Sequence, residues 1–425
     1  MAFSKEKYKP RLIDKTVERY LTVFGAISIE GPKWCGKTWT SSSHAKSIVM
    51  LDDENTRSLA LYDLNLILKE EQPELIDEWH LVPEVWDAVR RKCDDDSKSG
   101  KYILTCSTEL NDEKKKKVFH SGAGRIGKIK MYPMSLYESN DSSGFASLTD
   151  MYNGTQENKR VEETDIRRLA NLIIRGGWPR NIDVSFENAG LIPKSYIESI
   201  LDKDMNDDKK RDRNKMLMLL KSLARNESTI VSNQTLIKDI SDMENTNTDI
   251  IESRTTIADY LDVLDRLHIT CNQDSYSSNY RSPKRIGKSP KRHFVDPSLA
   301  CASLNLTVDK LLSDLKTFGF LFESLVERDL RIYIESLGGN LYHFRDNITG
   351  LEVDSILEFS DGDYVAVEIK LGSNQIEEAT KNLLIFQDNM LKKPKFMCII
   401  VGNYQAVVKD PKTGIYILPI TALKP

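Results

Sequence analysis

Short apolar runs alternate with amphipathic segments along the first third of the chain. Residues 11–24 repeat apolar side chains at helical spacing, and residues 26–30 form a short apolar run that leads into a glycine-rich stretch. Further strand-like and helix-like segments alternate up to about residue 135. This alternation predicts an α/β fold with a parallel sheet and crossover helices.

The middle of the chain has a helical pattern, and the last part returns to a mixed one. Residues 232–240 and 253–264 each begin with a serine suited to cap a helix, which predicts a helix-turn-helix pair of winged-helix type. From about residue 305, strand-like and helical segments mix again, which predicts a second α/β domain. For 425 residues we therefore predict three domains, at 1–200, 201–304 and 305–425.

Charge and cysteine content narrow the class of protein. The net charge is −4, so a nucleic-acid partner would have to be bound by local basic patches. The six cysteines are scattered, which favours free thiols over a zinc site or a disulfide framework. No apolar run approaches the roughly 20 residues that span a bilayer. Residues 1–10 do not resemble a signal peptide, so we expect a cytoplasmic protein without membrane contact.

The glycine-rich stretch after the first predicted strand has the complete pattern of a phosphate-binding loop. Glycines at both ends let backbone N–H groups turn toward phosphate oxygens at a helix N-terminus. The lysine is expected to contact the β- and γ-phosphates, and the threonine to offer its hydroxyl to Mg²⁺. The stretch predicts an ATP site made of Gly31, Pro32, Lys33, Trp34, Cys35, Gly36, Lys37 and Thr38.

Polar residues at the ends of the next predicted strands complete this site. We expect Asp77 to hold Mg²⁺ and Glu78 to polarise the attacking water. Thr105 and Ser107, at the end of a later strand, are candidates to sense the γ-phosphate. Arg125 lies in a glycine-rich segment suited to an arginine finger, although an exposed loop arginine without such a role is the alternative.

These motifs, together with residues 133–136, 176–180 and 280–297, resemble a broad prokaryotic family of AAA-type P-loop ATPases. Its members carry a C-terminal domain of unknown function. The resemblance extends over nearly the whole chain and implies an AAA-type ATPase fold rather than a biological role. Cys106 stands where the sensor strand of the family usually has glycine, which concerns γ-phosphate sensing and not nucleotide binding.

A second acidic constellation lies near the C-terminus. Residues 364–371 alternate strictly, with Glu368 and Lys370 on one face, and Asp354 lies in a neighbouring strand-like run. This region resembles the PD-(D/E)XK nuclease fold, in which two carboxylates bind a divalent cation and a lysine acts beside them. Glu323, on a predicted helix, is a further candidate metal ligand. The alternatives are a surface ion pair and an inactive binding module.

One stretch is rich in cations. Residues 275–295 contain no acidic side chain and six basic ones, which could contact nucleic-acid phosphates or form a solvated loop. These candidates are Arg281, Lys284, Arg285, Lys288, Lys291 and Arg292.

The combined expectation is an ATP-hydrolysing, DNA-binding and DNA-processing protein that uses ATP and Mg²⁺. We expect it to assemble into a ring or another homo-oligomer and to act on DNA through a nuclease-like domain. The alternative is a regulatory nucleotide switch whose C-terminal domain binds a partner without cutting it.

Overall fold

A computed structural model describes residues 7–95, 98–206, 209–244, 254–277, 289–346 and 348–425. The chain divides into two compact units. The first comprises Met1–Pro133, Asp204–Lys210 and Val263–Ile269, and the second comprises Met134–Lys203, Arg211–Asp262 and Thr270–Pro425. The boundaries that we predicted at residues 200 and 304 do not match this division. Each of the two units contains residues from the predicted middle domain.

The first unit is built on a parallel five-stranded sheet. Its elements are α1 (Asp14–Val23), β1 (Ala26–Glu30), α2 (Lys37–His44), β2 (Ser47–Met50), α3 (Glu54–Tyr62), β3 (Glu74–Asp77), α4 (Glu84–Asp94), β4 (Tyr102–Cys106), α5 (Asp112–Lys115) and β5 (Ile126–Lys130). The strand order is β2-β3-β4-β1-β5, and every pairing is parallel. The predicted parallel sheet with crossover helices is confirmed. All five strands therefore end at the same edge of the sheet.

Helices cover both faces of this sheet. On one face Tyr102 and Leu104 of β4 pack in a buried cluster with Trp86 and Val89 of α4. On the other face Ile27 and Ile29 of β1 belong to a cluster that includes Val17 of α1. Strands buried on both faces explain why β1 and β4 read as apolar runs in the sequence. This burial fixes where each strand ends, and with it the position of the polar residues that follow.

The second unit contains an eight-stranded mixed sheet. Its elements before residue 297 are β6 (Ala146–Ser147), α6 (Leu148–Asn153), β7 (Lys159–Arg160), α7 (Ile166–Arg175), α8 (Leu191–Asp202), α9 (Arg213–Arg225), α10 (Asn233–Glu244) and β8 (Asp274–Ser275), with α11 (Arg254–Arg266) running into the first unit. The later elements are α12 (Pro297–Ser303), α13 (Val308–Ser313), α14 (Leu315–Ser336), β9 (Asn340–Arg345), β10 (Glu352–Glu358), β11 (Tyr364–Lys370), α15 (Ile376–Asn389), β12 (Phe396–Val401), β13 (Ala406–Lys409), β14 (Tyr416–Pro419) and β15 (Leu423–Lys424).

The order of the large sheet is β7-β13-β14-β12-β11-β10-β9-β8. Strands β9, β10 and β11 form an antiparallel meander, and α15 connects β11 to the parallel strand β12. A buried apolar cluster that includes Val353, Ala366 and Phe386 joins α15 to this sheet. The predicted C-terminal α/β fold is present, and it brings β10 and β11 side by side.

The predicted helix pair corresponds to α10 and α11. The Oγ of Ser232 accepts a hydrogen bond from the N–H of Thr235 at 3.2 Å, so Ser232 caps α10 as expected. Ser253, the other predicted cap, lies outside the described residues. Isolated antiparallel bridges join residues 229 to 292 and 273 to 291 near these helices. These segments belong mainly to the second unit, and residues 201–304 do not separate as a domain of their own.

Across the part of the chain that the structure describes, no helix combines the length and the apolar character needed to cross a membrane.

Candidate functional site

The loop that follows β1 has a backbone shape that requires glycine at two positions. A Cβ on Gly31 would lie 2.2 Å from the carbonyl oxygen of Met131, so no side chain fits there. Gly36 has φ 108°, in the region that favours glycine. Helix α2 begins directly afterwards at Lys37, and its unpaired N–H groups and its dipole favour an anion at this position.

The two lysines of the loop are in different environments. The Nζ of Lys37 is buried and donates to the carbonyl oxygens of Gly31 at 3.0 Å and Pro32 at 2.9 Å. The Nζ of Lys33 is instead paired with Asp204 at 2.6 Å. Of the two, Lys37 is the cation that the fold holds inside the loop.

Asp77, at the end of β3, lies beside the loop. Its carboxylate accepts hydrogen bonds from Thr38 Oγ1 at 3.0 Å and Thr105 Oγ1 at 2.5 Å. Burial, with the neighbouring charge of Glu78, raises the pKa of Asp77. A buried carboxylate next to a threonine hydroxyl is a donor set that suits Mg²⁺, and the cation would favour its ionised form.

Glu78 is held in an unusual backbone conformation by the next strand. Its φ is 55°, and its N–H donates to Thr105 Oγ1 at 3.0 Å. Its carboxylate accepts from the N–H and the hydroxyl of Ser107, at 3.2 and 2.9 Å, and lies 3.1 Å from His80 Nδ1. Although burial opposes ionisation, the contact with His80 and the charge of Lys37 lower the pKa of Glu78 to about 2. The group is therefore an anion at neutral pH.

The structure thus brings together five residues that we singled out separately in the sequence: Thr38, Asp77, Glu78, Thr105 and Ser107. Parallel pairing explains this, because β1, β3 and β4 all end at one edge of the sheet.

Cys106 does not point into this network. Its side chain is buried and its Sγ donates to the carbonyl oxygen of Thr108 at 2.7 Å. Burial raises the pKa of the thiol, so the group remains neutral. The resemblance had suggested that Cys106 affects γ-phosphate sensing, but its side chain packs in the core.

Arg125 lies at the other edge of the sheet from the loop. It precedes β5, whose first residue Ile126 pairs with Ala26, the first residue of β1, whereas the loop follows the last residue of β1. Five residues of strand, at about 3.3 Å each, separate the two positions by roughly 16 Å. Arg125 is half-exposed and its Nε lies 2.9 Å from Asp94. Its predicted role could therefore be performed only at the loop of another copy of the chain.

Sequence reasoning missed the buried Arg11. Its guanidinium donates to the carbonyl oxygens of Cys35 and Tyr132, both at 2.8 Å, and so ties the loop to the segment after β5. These partners are 24 and 121 residues away along the chain, so no local sequence pattern indicates them. His80, beside Glu78, was missed as well.

The second unit brings the acidic residues of β10 and β11 together. Lys370 Nζ lies 2.6 Å from Glu368 and 3.3 Å from Asp354. Glu368 is 2% exposed and also accepts from Asn382 Nδ2 at 2.6 Å. Burial, with the charge of Asp354, raises the pKa of Glu368 to about 8. Asn382 of α15 is a residue of this cluster that the sequence analysis did not identify.

Glu323 of α14 is paired with a lysine that we had assigned to DNA. Lys291 is 2% exposed, and its Nζ lies 2.6 Å from Glu323. Arg292 is also engaged within the chain, donating to the carbonyl oxygen of Val231 and to Asn233 at 3.1 and 2.7 Å. We had predicted phosphate contact or a solvated loop for this stretch. Burial of Lys291 against Glu323 fits neither alternative, and Arg292, which is half-buried, is engaged by partners within the chain.

The other four basic candidates, Arg281, Lys284, Arg285 and Lys288, lie outside the described residues. Among the residues that are described, no group of three or more His, Cys, Asp and Glu side chains is arranged to hold a metal ion. The three carboxylates that we predicted as ligands, Glu323, Asp354 and Glu368, are therefore not gathered into one metal centre. Asp354 and Glu368 remain as a pair, and Glu323 faces Lys291.

Three family models match successive parts of this chain. Residues 24–140 match an AAA domain, residues 166–310 a domain of unknown function (DUF8612), and residues 318–423 another domain of unknown function (DUF4143). The chain thus carries an AAA-type P-loop ATPase domain, which confirms that part of the sequence prediction. No curated protein sequence matches the chain.

Several solved structures are similar at low identity. A Walker-type ATPase of Pyrococcus abyssi is 13% identical with a TM-score of 0.44, covering 72% of this chain and 100% of that one. The ORC2 protein of Aeropyrum pernix, with ADPNP and ADP, is 13% identical with a TM-score of 0.33, covering 75% and 96%. The ORC1 protein of that organism, in complex with DNA, is 12% identical with a TM-score of 0.25, covering 71% and 93%.

Proposed function

We propose that this chain hydrolyses Mg²⁺-bound ATP in its first unit and uses the reaction to process DNA through its second unit. The assignment of the ATPase site rests on one observation. A hydrogen-bond network at the end of the parallel strands joins Thr38, Asp77, Thr105, Glu78 and Ser107. Its hydroxyl groups connect both carboxylates to the strand end beside the phosphate-binding loop.

Each residue of the site has a separate role in this proposal. The loop N–H groups and Lys37 bind the β- and γ-phosphates. Thr38 and Asp77 would hold Mg²⁺, which neutralises charge on the phosphates when it is bound. Glu78, ionised and held by Ser107, orients and polarises the attacking water. Thr105 positions both acidic residues, because its hydroxyl bonds to one side chain and to the backbone of the other.

Replacing Glu78 with glutamine tests this assignment. We expect Glu78→Gln to bind ATP with near wild-type affinity but to lose turnover by about 10²–10⁴-fold, because the neutral amide cannot polarise the water as the carboxylate does. Glu71→Gln is the matched control, since Glu71 is an exposed glutamate of the same unit, and it should behave as wild type. Wild-type turnover by Glu78→Gln would show that another residue activates the water.

Self-association is part of the proposal because of Arg125. Its position at the opposite edge of the sheet means that it can reach a phosphate only from a neighbouring copy. A ring or another homo-oligomer would bring this arginine to the loop of the next subunit, where it would stabilise charge in the transition state.

For the second unit we propose a nuclease-like fold that acts on DNA. Supporting this, the antiparallel register of β10 and β11 pairs Ser355 with Val367, the neighbours of Asp354 and Glu368, and Lys370 forms ion pairs with both carboxylates. Burial and, after it, the negative charge of Asp354 raise the pKa of Glu368, and a pair of neighbouring carboxylates suits a divalent cation. Asp354 and Glu368 would hold the cation, which would supply activation of water, while Lys370 would face the scissile phosphate.

Cleavage assays test this half of the proposal. Duplex, single-stranded and branched DNA are incubated with Mn²⁺, and then with a chelator. We expect wild type to cut at least one substrate, and Asp354→Asn and Lys370→Ala to cut none while hydrolysing ATP normally. If the two variants cut DNA as well as wild type does, the assignment is contradicted.

The second candidate function is a regulatory nucleotide switch whose C-terminal domain binds without cutting. The observation that favours it is that Lys370 already forms ion pairs with both carboxylates, as in a structural charge cluster. A switch would turn over ATP slowly whether or not DNA is present. DNA-stimulated turnover would favour the processing function instead.

DNA contact through the basic stretch is a further part of the proposal. Neutralising Arg281, Lys284, Arg285 and Lys288 should weaken DNA binding and flatten its dependence on salt. Each lost phosphate contact lowers the log–log slope by about 0.9 on duplex DNA. An unchanged slope would show that the stretch does not touch phosphates.

A further inference from the structure

Lys291 enters the acidic cluster of the second unit from a fixed backbone position. Its N–H donates to the carbonyl oxygen of Gln273, and its own carbonyl oxygen accepts from the N–H of Gln273, both at 2.9 Å. This reciprocal pairing fixes the Cα of Lys291, and the side chain extends into the protein, where it is 2% exposed. A lysine so deeply buried is uncommon unless its charge is paired.

The ammonium group is surrounded by carboxylates from two elements. Its Nζ lies 2.6 Å from Glu323 of α14 and 3.8 Å from Glu352 of β10. These two carboxylates pair with the ammonium group and offset the cost of burying its charge. Lys291 therefore places a positive charge beside Glu323 and Glu352, and Glu352 lies two residues before Asp354 on β10.

We propose that Lys291 is an internal cation that competes with a divalent metal for Glu323, next to the proposed metal-binding pair of Asp354 and Glu368. The inference rests on the proposed function only in taking Asp354 and Glu368 as the metal-binding pair. An ammonium ion contributes one positive charge and donates hydrogen bonds, so it satisfies Glu323 without coordinating the other carboxylates. While the ammonium is in place, Glu323 cannot serve as a metal ligand, and the electrostatic attraction for a dication is reduced.

Removing this charge should change metal affinity in a defined direction. Without Lys291, Glu323 becomes a buried carboxylate with no cation of its own, which is costly unless it is protonated or binds a metal. A purely structural ion pair predicts only lost stability. Competition predicts, in addition, a gain in metal binding that depends on Glu323.

The experiment measures Mn²⁺ binding to the full, nucleotide-free chain by electron paramagnetic resonance and calorimetry. The test variant is Lys291→Met, which keeps most of the side-chain length without the charge. Lys381→Met is the matched control, because Lys381 is also paired with a glutamate, Glu377 at 2.8 Å, but on an exposed helix surface. The double variant with Lys291→Met and Glu323→Gln removes both charges of the buried pair.

We expect Lys291→Met to bind Mn²⁺ at least tenfold more tightly than wild type, and Lys381→Met to match wild type. The double variant should lose the gain. If wild type binds Mn²⁺ through Asp354 and Glu368 and Lys291→Met binds it no more tightly, the inference is overturned and the proposed metal pair stands. If neither protein binds Mn²⁺, both fail.

Folding is followed in parallel by thermal unfolding with and without Mn²⁺. A Lys291→Met protein that folds only when Mn²⁺ is added supports competition, because the metal then replaces the missing charge. A Lys291→Met protein that stays unfolded with Mn²⁺, while the double variant folds, overturns it.

Discussion

Thr105→Val is the substitution that most directly tests how the nucleotide site is organised. Thr105 is fully buried at the end of β4. Its hydroxyl donates to Asp77 Oδ1 at 2.5 Å and accepts from the N–H of Glu78 at 3.0 Å. Valine replaces the hydroxyl with a methyl group of similar size, so both hydrogen bonds are lost with little change in packing volume.

The magnitude follows from these two bonds. A hydrogen bond to a charged group contributes about 1.5–3 kcal/mol, and a buried N–H left without a partner costs about 1–3 kcal/mol. The two effects share one side chain and are not fully additive. We therefore expect the free energy of unfolding of the first unit to fall by about 2–4 kcal/mol. Because Glu78 also loses the anchor of its left-handed backbone, ATP turnover should fall as well.

Urea denaturation followed by tryptophan fluorescence measures the stability change. Trp79 and Trp86 are suitable probes, since their rings lie 4.8 Å apart in the core of the first unit. Thr22→Val is the control, because the Thr22 hydroxyl donates to the carbonyl oxygen of Arg19 on an exposed part of α1. Its effect should stay within about 0.5 kcal/mol, as for other surface substitutions.

A Thr105→Val protein that unfolds at the same urea concentration as wild type would refute this reasoning. Unchanged stability with reduced turnover would also separate the two claims: Thr105 would then act on the bound nucleotide and not through Asp77 and Glu78.

Three further predictions address other parts of the molecule. Lys37→Ala should weaken ATP binding at least tenfold in a titration, since it removes the cation held inside the loop; unchanged affinity would contradict the site. Arg125→Ala should keep ATP affinity and lose turnover, and mixing it with Glu78→Gln should restore part of the activity; no recovery at any ratio argues against action between subunits. Burial opposes the charge of His293, but Glu327 and Glu227 raise its pKa to about 9. Since this lies above the ordinary 6.5, its stabilisation of about 3 kcal/mol, at 1.36 per pKa unit, should be present below pH 6.5 and lost by pH 9. Wild type should show this loss in urea titrations and His293→Gln should not; equal pH profiles would contradict it.

The nucleotide site could be predicted because its information is local. The phosphate-binding loop is eight consecutive residues, and a backbone that needs Gly31 and Gly36 leaves a recognisable spacing. Asp77 and Thr105 were found for a related reason. Each ends a buried apolar strand, and parallel strands place their ends at one edge of a sheet whatever the rest of the fold does.

Alternation along β11 was also sufficient to place Glu368 and Lys370 on one face, and the resemblance to the nuclease fold associated them with Asp354 of the neighbouring strand. Periodicity of two is a property of the strand itself, so it can be read before the sheet is known. It does not reveal Asn382, which reaches Glu368 from α15.

Only the tertiary structure decided which charged residues are free to meet a ligand. In the sequence Lys291 belongs to a run of cations without any acid, yet in the fold it is buried beside Glu323, 32 residues away. Arg11 likewise finds its acceptors at Cys35 and Tyr132. A run of like charges describes only neighbours along the chain. The energy of a buried charge depends on partners that folding brings from elsewhere, and for that reason the sequence located the nucleotide site but misassigned Lys291.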